Sequence, residues 1–144
     1  MTGELLEVSN LLARYCWLVD EKRFTEWSAC FKPDGVFEVR GQRLIGRHAI
    51  AEFVSGSIGD YQLIRHITHH PEIVFASEST VRARCYFSLI GVTAEGRDIH
   101  ALGRYDDQIE LTADGWAFAE RRAQFDFFAP RANAWGGSGS ASGS

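Results

Sequence analysis

Apolar side chains at the start of the chain recur three and four residues apart, which is the spacing of one buried face of a helix. The pattern predicts a helix over residues 4–20. The positions that share its apolar face are Leu5, Val8, Leu12, Tyr15, Cys16 and Val19. Asp20 ends this helix and, on an ideal helix, stands about 40° round from Cys16. A carboxylate is unexpected beside an apolar face, so Asp20 either caps the next helix or belongs to a functional site.

The next stretch predicts two further short helices separated by a small hairpin. The helices are expected over 21–31 and 46–54, where apolar residues again follow the helical period. The hairpin is expected from strands at 35–39 and 43–45, with Gly41-Gln42 at its turn.

From residue 61 onward the pattern changes to the alternation of strands, in which successive side chains point to opposite faces. Four long strands are predicted, over 61–75, 79–92, 98–111 and 115–128. In the second of them, the apolar positions on one face are Val81, Ala83, Cys85, Phe87 and Leu89. Three helices followed by an antiparallel meander predict an α+β domain. Its curved sheet would wrap around the helices and leave a pocket at its open end.

The composition is that of one soluble globular domain, with 144 residues, 45% of them hydrophobic and 24% charged. The net charge of −4 argues against nucleic acid or an anionic membrane as the main partner, because both need a basic surface. The N-terminus lacks the basic-then-apolar pattern of a signal peptide, so we expect a cytoplasmic protein. Cys16, Cys30 and Cys85 are odd in number and widely spaced, which predicts free, buried thiols.

We expect one domain over residues 1–130 and a flexible tail over 131–144. The last part of the tail, 136–144, is almost entirely Gly and Ser and resembles an added linker. It is expected to take no part in the fold or the function.

Three of the five histidines fall in the short run 65–72. On a strand, His66 and His70 point to one face and lie about 13 Å apart, while His69 points to the other. A three-ligand metal site would need a bulge here, so we expect no metal and no other cofactor. His69 and His70 are interpreted as surface residues at a strand end.

His66 is the candidate general base, because a histidine works in that role when a carboxylate orients it and supports the imidazolium. Asp20 is the best candidate for this partner, since it borders a helix face that must pack against the sheet. The hydroxyl of Tyr15 is a candidate donor to a substrate carbonyl or a developing oxyanion.

Several short motifs also follow one another in a recognisable order over residues 4–128. The first motif is Tyr15 followed by Asp20, and the second is an aromatic residue with an Asp-Gly turn in 31–37. A Gly-x-x-Ala-Ile-x-x-Phe pattern follows in 46–53, and then Arg65-His66 with Pro71-Glu72-Ile73 shortly after. The last motifs, in 103–107 and 114–118, belong to a final hairpin. This order resembles that of SnoaL-like proteins in the nuclear transport factor 2-like superfamily. It is most similar to the branch of scytalone dehydratase, bile-acid dehydratase and hexachlorocyclohexane dehydrochlorinase.

The resemblance implies a cone-shaped α+β barrel, in which three N-terminal helices pack in a strongly curved mixed or antiparallel sheet that encloses an apolar pocket. In that branch, an Asp at the end of the first helix pairs with a His on the sheet, and the pair abstracts a proton from carbon while an adjacent group is eliminated. Asp20 and His66 match those positions, and Tyr15 matches one that is Tyr or Lys in the branch. Val39 stands where the ketosteroid isomerase branch has its catalytic Asp, which argues against that type of isomerase.

The predicted function is therefore a cofactor-independent lyase of the dehydratase type, acting on a small, mostly apolar ring that bears a hydroxyl or carbonyl group. Its expected substrate-binding residues are Trp17, Trp27, Phe53, Tyr86 and Phe125. Two alternatives stay open. One is a non-catalytic ligand-binding or subunit module of the same fold, and the other is an isomerase, cyclase or epoxide hydrolase that uses the same pocket.

Two further expectations concern the sheet. Arg121 and Arg122 are adjacent, so one is expected to face the pocket and the other solvent. The outer face of the sheet is expected to include Phe87, Phe118 and Phe128. We expect this face to be covered by further copies of the chain, in a homodimer or a homotrimer.

Overall fold

The computed structural model describes the backbone of residues 2–132 and the side chains of residues 3–96 and 98–128. The helices are α1 (Thr2–Asp20), α2 (Phe24–Ser28) and α3 (Arg47–Ile58). The strands are β1 (Phe31–Val39), β2 (Gln42–Ile45), β3 (Tyr61–Thr68), β4 (Glu72–Phe75), β5 (Thr80–Thr93), β6 (Arg97–Thr112) and β7 (Gly115–Ala132). β7 thus extends past the predicted domain end at residue 130, and the predicted linker over 136–144 lies outside the described residues. None of the described helices is long and apolar enough to cross a membrane.

One seven-stranded sheet forms the frame, in the order β2–β1–β7–β6–β5–β3, with β4 also paired to β5. β1 runs parallel to β7, and the other strand pairs are antiparallel. Residues in the left-handed region make the tight turns, with φ of 52° at Arg40 and 75° at Gly41 between β1 and β2, and 108° at Gly115 between β6 and β7. The predicted α+β class, with helices packed against a curved mixed sheet, is confirmed.

The element boundaries differ from the prediction at several places, of which three matter most. The long strand expected over 61–75 is broken after Thr68, and Pro71 lies in the break because it has no backbone N–H to donate to a strand ladder. The second helix ends at Ser28, so Phe31 begins β1 instead of closing a helix. The third helix continues to Ile58, beyond the predicted end at 54.

The core lies between the helices and the concave face of the sheet. The apolar face of α1 is buried there from Val8 to Val19, although Leu5 at its start is 43% exposed. The apolar positions that share one face of β5, from Val81 to Leu89, are buried there too. Phe87 and Phe118 are 1% and 0% exposed, so their predicted place on the outer face was wrong. Phe118 lies inside because it pairs with the buried Ile109 across β6 and β7.

Bulges bend the sheet, and one of them shifts the β6–β7 register between Leu102 and Gly103. A Cβ atom added at Gly103 would lie 2.4 Å from the Gln124 carbonyl oxygen and 2.5 Å from the ring of Phe87. Only glycine allows this close approach, which brings the Phe87 ring onto the backbone of β6.

The three cysteines are buried and free, as predicted. Burial raises the pKa of all three thiols, and it raises that of Cys85 to about 11. They are therefore neutral side chains of the core at physiological pH.

Candidate active site

The C-terminal end of α1 places Asp20 against the edge of the sheet. β3 is the last strand of the sheet, and its outward backbone N–H groups have no neighbouring strand to accept them. The backbone N–H of His66 donates instead to the Asp20 carboxylate, at 3.0 Å to Oδ1 and 3.1 Å to Oδ2. A negative charge is unfavourable at the C-terminal end of a helix dipole, so this position is explained by the partners of Asp20 and not by helix stability.

The side chains of Asp20 and His66 also contact each other directly. His66 Nδ1 lies 2.7 Å from Asp20 Oδ1, and the two side chains are 10% and 11% exposed. With Asp20 ionised, Nδ1–H donates to the carboxylate, which leaves the lone pair of Nε2 free to accept a proton. The imidazole is thus held in one tautomer and one orientation.

Tyr15 presents its ring to the edge of the His66 ring, with centroids 6.5 Å apart and planes at 87°. It is 2% exposed and packs edge-on against Tyr105, another buried phenol, with ring centroids 5.8 Å apart. Burial raises the pKa of Tyr15 well above its usual value, although the charge of Arg121 opposes this shift. Tyr15 is therefore a neutral hydroxyl group able to donate a hydrogen bond.

Behind the two phenols lies a buried ion pair that the sequence did not identify. Arg121 Nε lies 2.8 Å from Asp107 Oδ1 and Arg121 Nη2 lies 3.1 Å from Oδ2, with both side chains fully buried. The guanidinium carbon is 3.6 Å from the ring centroid of Tyr105 and 4.2 Å from that of Tyr15. Burial raises the pKa of Asp107, and the ion pair with Arg121 acts in the opposite direction.

Of the two adjacent arginines, one of which was expected to face the pocket, Arg121 is fully buried but lies behind the phenols and does not line the cavity. Arg122 is exposed and pairs with Glu38 at 2.6 Å. The signal for Asp107 was present in the sequence, because it shares the inward alternation of Tyr105 and Ile109 in a predicted strand. A lone carboxylate at an inward position requires a buried partner.

An internal cavity of about 60 Å³ lies beside these groups. Its polar lining residues are Tyr15, Arg40, Ser57, His66 and Tyr105, and the rest of its lining is apolar. This volume is far below the roughly 300–1,000 Å³ of ordinary small-molecule pockets. A ring-sized ligand therefore needs the cavity to widen or to extend to the surface.

Two of the five predicted substrate-binding residues line this cavity, namely Phe53 on α3 and Phe125 on β7. Trp27 is fully buried and packs on Tyr15 with ring centroids 5.3 Å apart, which places it behind the lining.

Trp17 and Tyr86 lie outside this cavity. Trp17 is 70% exposed because it is two residues from Tyr15, which on a helix is more than half a turn away. Tyr86 is 67% exposed because it alternates with the buried Cys85 and Phe87 on β5.

The Asp20–His66 pair also borders a second space, on the outer side of α1 and β3. This outer groove has a volume of about 490 Å³, and its lining includes Trp17, Arg65 and Ile67. The pair therefore lies between the internal cavity and the surface of the protein.

The other two histidines of the run lie apart from this pair. His69 Nε2 is 3.2 Å from the Ser88 hydroxyl, and both His69 and His70 are exposed at the break between β3 and β4. In the part of the chain that the structure describes, no three His, Cys, Asp or Glu residues are grouped so as to hold a metal ion.

Helices packed in a strongly curved mixed sheet, with a small polar cluster at an apolar cavity, define the class of the nuclear transport factor 2-like fold. Within that class the chain belongs to the SnoaL-like domain family, whose model matches residues 4–122. The predicted family is thereby confirmed.

Individual relatives agree with this assignment. The uncharacterized protein Rv2910c of Mycobacterium tuberculosis is 25% identical over 122 residues, which are 83% of each chain. A candidate scytalone dehydratase from Novosphingobium aromaticivorans superposes with a TM-score of 0.82 at 20% identity, covering 91% of this chain and 92% of that one. The dehydrochlorinase LinA superposes with a TM-score of 0.83 at 18% identity, covering 91% of each chain. At these identities the two structures show a shared fold alone.

Proposed function

We propose that the protein is a cofactor-independent lyase that removes a carbon-bound proton from a small cyclic substrate and eliminates an adjacent group. The observation that carries this proposal is the 2.7 Å contact between Asp20 Oδ1 and His66 Nδ1 at the edge of the cavity. An oriented imidazole with a free Nε2 is the arrangement that general-base catalysis requires. The names of the similar structures, a dehydratase candidate and a dehydrochlorinase, support elimination as the reaction class.

In the proposed reaction, His66 Nε2 takes the proton, and the electron pair of the broken C–H bond becomes the second bond of a C=C group. The neighbouring C–O or C–halogen bond breaks, and its electron pair leaves with the departing group. Asp20 stabilises the imidazolium that forms. The imidazolium then returns its proton to a departing hydroxide, which leaves as water, or releases it to solvent when the departing group is a halide.

Tyr15 is proposed to donate a hydrogen bond to the substrate oxygen on which negative charge develops. Its buried neutral hydroxyl suits this role, because a donor in a site of low polarity stabilises a developing oxyanion more than it does in water. Phe53 and Phe125 supply apolar contacts to the ring. Asp107 and Arg121 do not line the cavity and pair with each other, so they are proposed to position Tyr15 and Tyr105.

The test is turnover of a panel of small cyclic β-hydroxy ketones, in which loss of water produces a conjugated enone that absorbs in the ultraviolet. His66→Gln and Asp20→Asn are each expected to lower kcat by about 10²–10⁴-fold. His48→Gln is the matched control, since this histidine side chain is 96% exposed. An unchanged kcat in His66→Gln would show that the pair does not act as the base.

A second candidate function is non-catalytic binding of a small apolar ligand. The mostly apolar lining of the cavity favours it, since burial of apolar ligand surface needs no proton transfer at His66. In the same panel this candidate predicts saturable binding by calorimetry, with no enone formed by the wild-type protein.

We also propose that the protein self-associates through the outer face of its sheet. That face has a group of apolar side chains that are between 39% and 67% exposed. They are Ile67, Tyr86, Ile90, Leu102 and Phe127, and they are called the outer patch below. Burial of such a patch against a second copy removes apolar surface from water.

A further inference from the structure

Arg40 occupies the turn between β1 and β2 with a φ of 52°, in the left-handed region that asparagine and glycine adopt most readily. The turn itself therefore does not favour an arginine. The side chain folds back over two aromatic rings of β7, with its guanidinium carbon 5.3 Å from the centroid of Phe125 and 5.5 Å from that of Phe128.

The charge of Arg40 is not compensated within the described part of the protein. Its guanidinium forms no hydrogen bond and no ion pair with any described residue. Two carboxylates of the neighbouring strands are already engaged, Glu38 with Arg122 and Glu120 with Arg43. A guanidinium stacked on rings still presents its N–H groups at its edge, where they match the two oxygens of a carboxylate.

Arg40 also lies where the internal cavity meets the surface. Together with Val39, Ala123 and Phe125, it lines both the cavity and a shallow outer groove of about 340 Å³. The two spaces share these four residues, so they adjoin each other at Arg40. A ligand that holds its charged group at Arg40 can direct its ring toward the cavity, which has to widen to admit the ring.

We propose that the substrate or ligand is a cyclic acid whose carboxylate binds the guanidinium of Arg40, with its ring directed into the cavity. The inference rests on the proposed function only where it places the reactive carbon beside His66, since binding of the acid does not require catalysis. Phe125 and Phe128 hold the guanidinium in place and, together with the cavity lining, favour an apolar ring over a polar acid.

The experiment measures by calorimetry the Kd of benzoate and of its neutral isostere benzamide at low ionic strength. The wild-type protein is expected to bind benzoate at least about tenfold more tightly, as a charge-assisted hydrogen bond provides. Arg40→Met is expected to abolish that preference, and Arg40→Lys to retain part of it. The control is Arg43→Met, which removes an arginine of the same hairpin that is paired with Glu120.

Three results would overturn the inference: no saturable binding of benzoate to the wild type, equal affinity for the two probes, or an undiminished preference in Arg40→Met. Repeating the titration with His66→Gln separates the charge of Arg40 from that of a protonated imidazole, and the preference is expected to persist. A preference for benzoate without turnover of any substrate contradicts only the proposed function. Turnover of neutral substrates without that preference contradicts only the role of Arg40.

Discussion

Arg121 lies between Tyr15 and Tyr105, with its guanidinium group over both rings and its charge neutralised by Asp107. Its Nη1 atom has no hydrogen-bond partner among the described residues. Removing two charges from water costs free energy, and their mutual attraction offsets this cost only when the geometry of the pair is good. Here the guanidinium packs on two phenol rings, and one of these rings contacts His66, so the pair is proposed to position both phenols at the candidate active site.

Removal of one member of this pair is expected to destabilise the protein strongly. Arg121→Met leaves the Asp107 carboxylate buried and unpaired, at a cost of about 3–5 kcal/mol in the free energy of unfolding. The double variant Arg121→Met/Asp107→Leu is expected to recover most of that loss, because no charge stays buried. Urea denaturation measures both changes.

The matched control for this series is Arg122→Met. Arg122 is exposed and pairs with Glu38 at the surface, so its loss is expected to change the unfolding free energy by less than about 1 kcal/mol. A double variant that is no more stable than Arg121→Met alone would contradict the explanation by an unpaired charge.

At the scale of elements, the site depends on how α1 and the bent strands meet. Asp20 ends α1, and its carboxylate accepts a hydrogen bond from the backbone N–H of His66 on the edge strand β3. The same carboxylate contacts His66 Nδ1 and so orients the imidazole. The curvature that brings these elements together needs close approaches between strands. The closest of them is at Gly103, where β6 lies directly against Phe87.

Gly103→Ala is expected to destabilise the protein by about 1–3 kcal/mol, as overpacking of a core does. The added methyl group would lie 2.4 Å from the backbone oxygen of Gln124, which cannot move aside as a side-chain tip can. Thermal and urea unfolding measure the loss.

Gly56→Ala provides the control, because Gly56 lies within α3 and a Cβ there meets no atom within 4 Å. Its replacement is expected to stabilise the protein by about 0.5–1 kcal/mol, since glycine is a poor residue in a helix interior. Equal effects at Gly103 and Gly56 would mean that the close approach in β6 is not a constraint on the fold.

At the scale of the whole molecule, the sheet has one face buried by the helices and another that bears the outer patch. Leu102 and Phe127 are register partners at the centre of that patch, and Ser88 is the partner of Leu102 on the other side. Ile67 of the patch also lines the outer groove beside Asp20 and His66, so association through the patch would bring a second copy next to that groove. None of the five patch residues lines the cavity itself.

Self-association is expected to depend on the outer patch. Light scattering coupled to size-exclusion chromatography should show the wild-type protein as an oligomer, and Leu102→Glu should shift it toward the monomer by placing a charge in the interface. The control is Leu6→Glu on α1, which is 62% exposed and outside the patch. A monomeric wild type at high protein concentration, or equal behaviour of the two variants, would contradict this proposal.

The sequence by itself determined the elements, the α+β class and the family. Periods of 3.6 and 2 residues are local properties, so they locate α1 and the long strands β5, β6 and β7 and put Phe87 on the same face as Leu89. They did not show the break between β3 and β4. The order of the motifs identified the family, and the match of the SnoaL-like domain model to residues 4–122 confirms it. The same local pattern could not fix the parallel pairing of β1 with β7, because that contact joins distant parts of the chain.

Only the tertiary structure decided which side chains meet. The register shift between Gln108 and Ile109 gives β7 an extra residue and reverses its alternation, and this is why Arg121 rather than Arg122 points inward onto Asp107. Curvature of the sheet similarly set the cavity volume. The periodicity of apolar residues in the sequence reveals neither bulges nor sheet curvature, because both arise from pairing between strands.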